Sequence, residues 1–141
     1  MPETTRRLVL DASALLAYLG DETGAELVAD AIADGATIST LNLAEALSTL
    51  ATRGEDPLSV LSALTDRGLL DGAITVEPFT TADAAETARL RPLTRSAGLS
   101  LADRACLAVA RRVAAPVLTA DQAWSSLGLD VDVRAIRGLG Q

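Results

Sequence analysis

Short apolar runs alternate with longer amphipathic stretches along the chain. Residues 7–10 predict a buried strand, and residues 12–19 a helix ended by Gly20. Residues 23–33 predict a helix closed by Asp34-Gly35, and residues 36–39 a second strand. Residues 41–53 continue as a helix up to Gly54. Asp56-Pro57 opens another helix, with proline at its first position, running to about Arg67 and stopping at Gly68. Residues 73–76 predict a third strand, 81–91 a helix, and 92–99 a loop punctuated by Gly98. Residues 100–113 form a long apolar helix, 116–119 a fourth strand, and 121–127 a short helix stopped by Gly128. In residues 131–136, Val131, Val133 and Ala135 alternate with Asp132 and Arg134, as in a half-exposed edge strand. Strands alternating with helices predict an α/β fold of three layers, α/β/α, around a mostly parallel central sheet of about five strands. No internal repeat or linker divides the chain, so a single domain over residues 1–141 is expected.

This pattern makes four acidic residues stand out. Ligand sites in parallel sheets form at the carboxyl ends of the strands, and Asp11 and Asp121 each fall just past one. Asp103 opens the long apolar helix, and Glu45 interrupts the apolar run Leu41-Asn42-Leu43-Ala44-Glu45-Ala46-Leu47. Taken singly, each has an ordinary reading. Asp11 suits a helix cap. Ser100-Leu101-Ala102-Asp103 suits a capping box. Asp121 suits the first turn of a helix. Glu45 lies opposite the Leu43, Leu47 and Leu50 stripe, as a solvated residue would. Together they suggest a shared cleft. Two carboxylates about 4 Å apart repel by roughly 4 kcal/mol at an effective dielectric near 20, so either their pKa values rise or a cation binds. Mg²⁺ takes oxygen ligands and suits phosphate substrates.

Composition narrows the chemistry. The chain has no His and no Lys, and all 12 basic residues are Arg. That excludes a Ser-His-Asp triad, His-ligated zinc, a Schiff-base lysine and a P-loop lysine. The single cysteine, Cys106, excludes an internal disulfide and a Cys-rich zinc site, and it falls on an apolar helix face as core. A metal-bound water is then the most economical nucleophile. The net charge of −7 runs against binding a polyanion, although Arg89, Arg91 and Arg95 form one basic group and Arg104, Arg111 and Arg112 another. Either group also reads as an ordinary solvated helix face. Tyr18 and Trp124 are expected to fill the core. No apolar run reaches about 18 residues, and the first residues lack a signal peptide's uncharged core, so a cytoplasmic protein is expected.

Four segments resemble the PIN-domain ribonucleases, and more narrowly the VapC-type toxins of toxin–antitoxin pairs. They are Val9-Leu10-Asp11-Ala12-Ser13-Ala14, Asn42-Leu43-Ala44-Glu45, Leu99-Ser100-Leu101-Ala102-Asp103-Arg104-Ala105-Cys106-Leu107-Ala108, and Pro116-Val117-Leu118-Thr119-Ala120-Asp121-Gln122-Ala123-Trp124. The resemblance implies an endoribonuclease in which Asp11, Glu45, Asp103 and Asp121 hold Mg²⁺ or Mn²⁺ and water attacks an RNA phosphodiester. Ser13 and Thr119 would orient those acids. It further implies a homodimer, neutralised by a cognate antitoxin whose segment occupies the cleft, often with an Arg among the acids. The helices at residues 23–33 and 41–53 are candidates for the groove that receives it. A receiver domain would need paired acids after the first strand and a late lysine. A haloacid-dehalogenase-type phosphatase would need Asp-x-Asp, where this chain has Ser13 in the third position. The competing reading of another class is a catalytically inert PIN-like interaction module.

Overall fold

The computed structural model describes residues 7–137; the reading of residues 1–6 as no signal peptide lies outside them. The strands are β1 (Leu8–Leu10), β2 (Ala36–Ser39), β3 (Ile74–Glu77), β4 (Val117–Thr119) and β5 (Val133–Ala135). The helices are α1 (Ala12–Leu19), α2 (Ala25–Ala33), α3 (Thr40–Thr52), α4 (Pro57–Asp66), α5 (Thr81–Thr94) and α6 (Leu101–Val113). The five strands form one sheet in the order β3-β2-β1-β4-β5, with every pair parallel. This is the expected three-layer α/β/α architecture.

Alternation along the central strands builds two cores. Leu10 and Leu118 face a cluster with Ala14 and Leu15 of α1, Val28 of α2 and Leu43 of α3. Val9 and Val117, one residue earlier in each strand, face the opposite cluster with Leu90 of α5 and Cys106, Leu107 and Ala110 of α6. β1 and β4 are therefore apolar on both faces, as an internal parallel strand requires. Trp124 and Cys106 are buried in the second cluster, and Tyr18 is partly buried against the first, as expected.

The strand order sets the position of the cleft. From β1 the chain steps outward through β2 to β3, then returns to place β4 on β1's other side. The carboxyl ends of β1 and β4 thus flank the point where the connections diverge, and a crevice opens there.

Three local predictions shift. The first helical residue of α2 is Ala25, because Gly24 sits in the left-handed region at φ 93°. A Cβ there would lie 2.5 Å from the Ile136 carbonyl oxygen, so glycine is needed for the close approach. Residues 92–99 are not a loop throughout. α5 runs through Pro92 to Thr94, and a 3-10 turn follows at Arg95–Ala97. Proline removes one helical hydrogen bond, but Leu90 and Thr94 are buried on either side of it and hold the last turn on the core. The segment after Asp121 is a 3-10 helix, Gln122–Ser126.

Candidate functional site

Asp11 leaves β1 in an extended conformation and caps α1, accepting the Ala14 N–H on Oδ1 at 2.8 Å. The same oxygen accepts the Ser13 hydroxyl at 2.7 Å. Ser13 Oγ in turn accepts the Ala120 N–H at 2.9 Å, and it lies 3.4 Å from Thr119 Oγ1. Thr119 Oγ1 accepts the Asp121 N–H at 3.0 Å. The two hydroxyls thus join the turn after β1 to the turn after β4 and tie Asp11 to the backbone of Asp121. Asp121 caps the 3-10 helix that follows, accepting the Ala123 N–H at 2.9 Å. Ser13 and Thr119 therefore stand where the sequence placed them, beside the acids.

Asp103 completes a capping box on α6. Its Oδ2 accepts the Ser100 N–H at 2.9 Å, while Ser100 Oγ accepts the Asp103 N–H at 3.1 Å. The capping reading and the cleft reading hold together for Asp11, Asp103 and Asp121, because capping engages one carboxylate oxygen in each.

Glu45 departs only from the solvated position that its own helix, taken alone, would give. The helical wheel sets it opposite the leucine stripe, toward water, yet it is only partly exposed. α3 packs on α1 and also on α6, and Glu45 lies on the side toward α6. Asn42, one turn earlier, has no exposed surface; its Nδ2 donates to the Ala102 carbonyl at 3.0 Å and to Glu45 Oε1 at 3.4 Å. Sequence reasoning passed over Asn42. The available signal was a polar residue between Leu41 and Leu43.

The acids respond to their surroundings and to one another. Burial pushes the Asp11 carboxyl above its usual 3.8; the Thr119 and Ser13 hydroxyls and the Ala14 N–H oppose the shift, and the charge of Asp103 adds to it. Burial also raises Glu45 above 4.5; the Asn42 amide opposes this, and the charges of Asp103 and Asp11 add to it. Asp11, Glu45 and Asp103 therefore lie within mutual electrostatic reach. The backbone of Asp121, through its N–H, is tied to Asp11 by the Ser13–Thr119 link. Burial drives the Cys106 thiol well above its ordinary value, and the same three acids push it further, so it supplies no thiolate ligand.

These donors are hard oxygens with no His or thiolate among them, a set that fits Mg²⁺ or Mn²⁺. Glu45 Oε2 and Asp103 Oδ1 accept no hydrogen bond from the described residues and so remain available to a cation. Among the described residues, no three His, Cys, Asp or Glu side chains stand close enough to ligate one ion as placed.

The PIN domain family model matches residues 8–128. The chain belongs to the PIN domain family. No curated protein matches it. Among solved structures, the PIN fold seen here is similar to a toxin–antitoxin complex from Klebsiella pneumoniae, with a TM-score of 0.70 and 17% identity over 92% of this chain and 98% of that one. FitAcB from Neisseria gonorrhoeae gives a TM-score of 0.68 and 21% identity over 92% and 97% of the two chains. DNA-bound VapBC from Salmonella typhimurium gives 0.67 and 14% over 94% and 100%.

The PIN fold divides the arginines into two sets. Arg104, Arg111 and Arg112 do not form a free basic face. Buried Arg104 donates to the Thr87 carbonyl at 2.9 Å. Arg111 pairs with Glu86 and Asp130, and Arg112 with Glu77 and Asp83. Arg89 pairs with Glu86. Arg91 and Arg95 are exposed and pair with no acid among the described residues. No helix among the described residues is long and apolar enough to cross a membrane.

Proposed function

We propose that this PIN-family chain is a metal-dependent endoribonuclease, the cytoplasmic toxin of a toxin–antitoxin pair, working as a single domain. What supports the reading is that Asp11, Glu45 and Asp103 lie within electrostatic reach of one another, with the backbone of Asp121 linked to Asp11 through Ser13 and Thr119. That similar structures belong to toxin–antitoxin complexes supports the biological role.

In this reading Asp11, Glu45, Asp103 and Asp121 hold Mg²⁺ or Mn²⁺. When bound, the cation supplies activation of water and neutralises charge on the scissile phosphate. Ser13 holds Asp11 in one rotamer by its 2.7 Å hydrogen bond, and Thr119 anchors the turn that carries Asp121, the support that ligating acids need. Arg91 and Arg95 face the RNA backbone, their charge unspent on protein acids. A homodimer and a cognate antitoxin complete the assembly, and an antitoxin arginine among the acids would neutralise them as the metal does.

The test is cleavage of total cellular RNA by the purified, antitoxin-free protein with Mg²⁺ or Mn²⁺. Discrete fragments are expected, lost with EDTA and reduced at least about 100-fold in Asp103→Asn. The absence of fragments from folded wild-type protein would leave the inert interaction module as the better reading. The observation on that side is that no three acids among the described residues stand within ligating reach of one ion.

A further inference from the structure

Asn42 lies in the first turn of α3 and is fully buried. Its backbone N–H donates to Ser39 Oγ at 3.0 Å, and its Oδ1 accepts the Ser39 hydroxyl at 2.6 Å. The Ala102 carbonyl accepts from Nδ2 at 3.0 Å. A carbonyl takes only a donor and the serine proton needs an acceptor, so the two contacts together fix which way the amide faces. The remaining amide hydrogen is directed to Glu45 Oε1 at 3.4 Å. One buried side chain thus touches three things. They are the end of β2, the backbone of α6 one residue before Asp103, and the carboxylate of Glu45.

An interhelical tie alone would use only the contacts to Ser39 and Ala102. The further contact selects one Glu45 oxygen and occupies it, leaving Oε2 as the oxygen open to a cation. Buried amides require their partners, since an unpaired one is destabilising; here the partners are also the carriers of two site acids. We propose that Asn42 is a positioning residue for the metal site, its amide setting the gap between Glu45 on α3 and Asp103 on α6 and presenting Glu45 through a single free oxygen. The inference rests on the reading of Glu45 and Asp103 as acids that hold the cation. It concerns a side chain that itself touches neither metal nor RNA.

The test uses the full chain without RNA and reads Mn²⁺ binding by electron paramagnetic resonance, beside thermal unfolding of the metal-free protein. Asn42→Leu keeps the branched shape, though it is larger, and removes both donors and the acceptor; Asn42→Ala is the second variant, in case Leu disturbs folding. Mn²⁺ binding about 10–100-fold weaker is the expected result, read well below a melting temperature that itself falls because the Ser39 hydroxyl and Ala102 carbonyl lose their partner. Glu45→Gln should weaken binding comparably, and the double variant should lose clearly less than the sum of the two single losses, because part of what Asn42 does is done through Glu45. Wild-type Mn²⁺ affinity in a folded Asn42 variant, or full additivity in the double variant, overturns the proposal. If the wild-type protein binds no Mn²⁺, the metal-site reading fails first and this inference falls with it.

Discussion

At the scale of single residues, Asp11 is a proposed site acid that also serves the fold. It caps α1, accepts from Ser13 and is almost completely buried. Burial raises its carboxyl above 3.8, so the folded chain keeps this proton at pH values where the unfolded chain has lost it. Stability from this group is therefore fully present below the unfolded value and lost as pH rises through the folded one. As pH rises above the unfolded value, the buried Asp11 carboxyl costs the metal-free fold stability. Asp11→Asn should raise the metal-free melting temperature by roughly 2–5 °C at pH 7 and abolish RNA cleavage. The gain should shrink when the melts are repeated below pH 4, where both states carry a protonated acid. Asp11 and Asp121 were legible in the sequence, because an acid just past an apolar run marks a strand's carboxyl end. The burial of Glu45 was not. A helical wheel describes one helix, and Glu45 is shielded by a second helix, α6, distant in sequence.

At the scale of elements, α5 and α6 are joined by Arg112. It donates to Asp83 through Nε at 2.9 Å and through Nη2 at 3.0 Å, to Glu77 at 2.7 Å and to the Pro78 carbonyl at 3.0 Å. Burial raises the Asp83 carboxyl, but Arg112 and the Thr80 cap outweigh it and leave it below 3.8. Asp83 is 2% exposed and Arg112 33%. Arg112→Ala strands a buried carboxylate and should destabilise by roughly 2 kcal/mol, under the ~3–5 kcal/mol of a fully buried pair, as measured by urea unfolding at pH 7. Because Asp83 is held below its unfolded value, the difference should fade as the medium is acidified through its folded pKa. The sequence displayed Arg104, Arg111 and Arg112 as a basic group one helix long. Their partners Glu77, Asp83, Glu86 and Asp130 come from other elements, so only packing could turn that group into a brace. Pro92 misled in the same way. Local chemistry ends a helix there, but the burial of Leu90 and Thr94 carries α5 onward.

At the scale of the whole molecule, a charge of −7 repels RNA. With Arg89, Arg111 and Arg112 engaged in ion pairs, Arg91 and Arg95 are the exposed arginines of the α5–α6 side that pair with no acid among the described residues. Arg91→Ala/Arg95→Ala should weaken binding of single-stranded RNA by Asp103→Asn protein and flatten the dependence of log affinity on log salt by about 1.4, two phosphate contacts at roughly 0.7 each. An unchanged slope in fluorescence anisotropy would remove these two arginines from the RNA path.

The order of strands and helices, the parallel sheet and the two strand-end acids follow from the chain's own periodicity. Apolar runs of three or four residues bounded by Gly and Asp leave few other solutions, and the absence of His and Lys removes the imidazole and amine chemistries. Which acids meet, by contrast, is a property of the packed molecule. The strand order puts β4 beside β1, and so brings Ser13 to Thr119 across 106 positions of sequence. The packing of α3 on α6 turns Glu45 inward and gives Asn42 its partners. Periodicity is local and is written in the neighbours of each residue. Convergence depends on contacts between segments far apart in the chain, and those exist only once both hydrophobic faces of the sheet are covered.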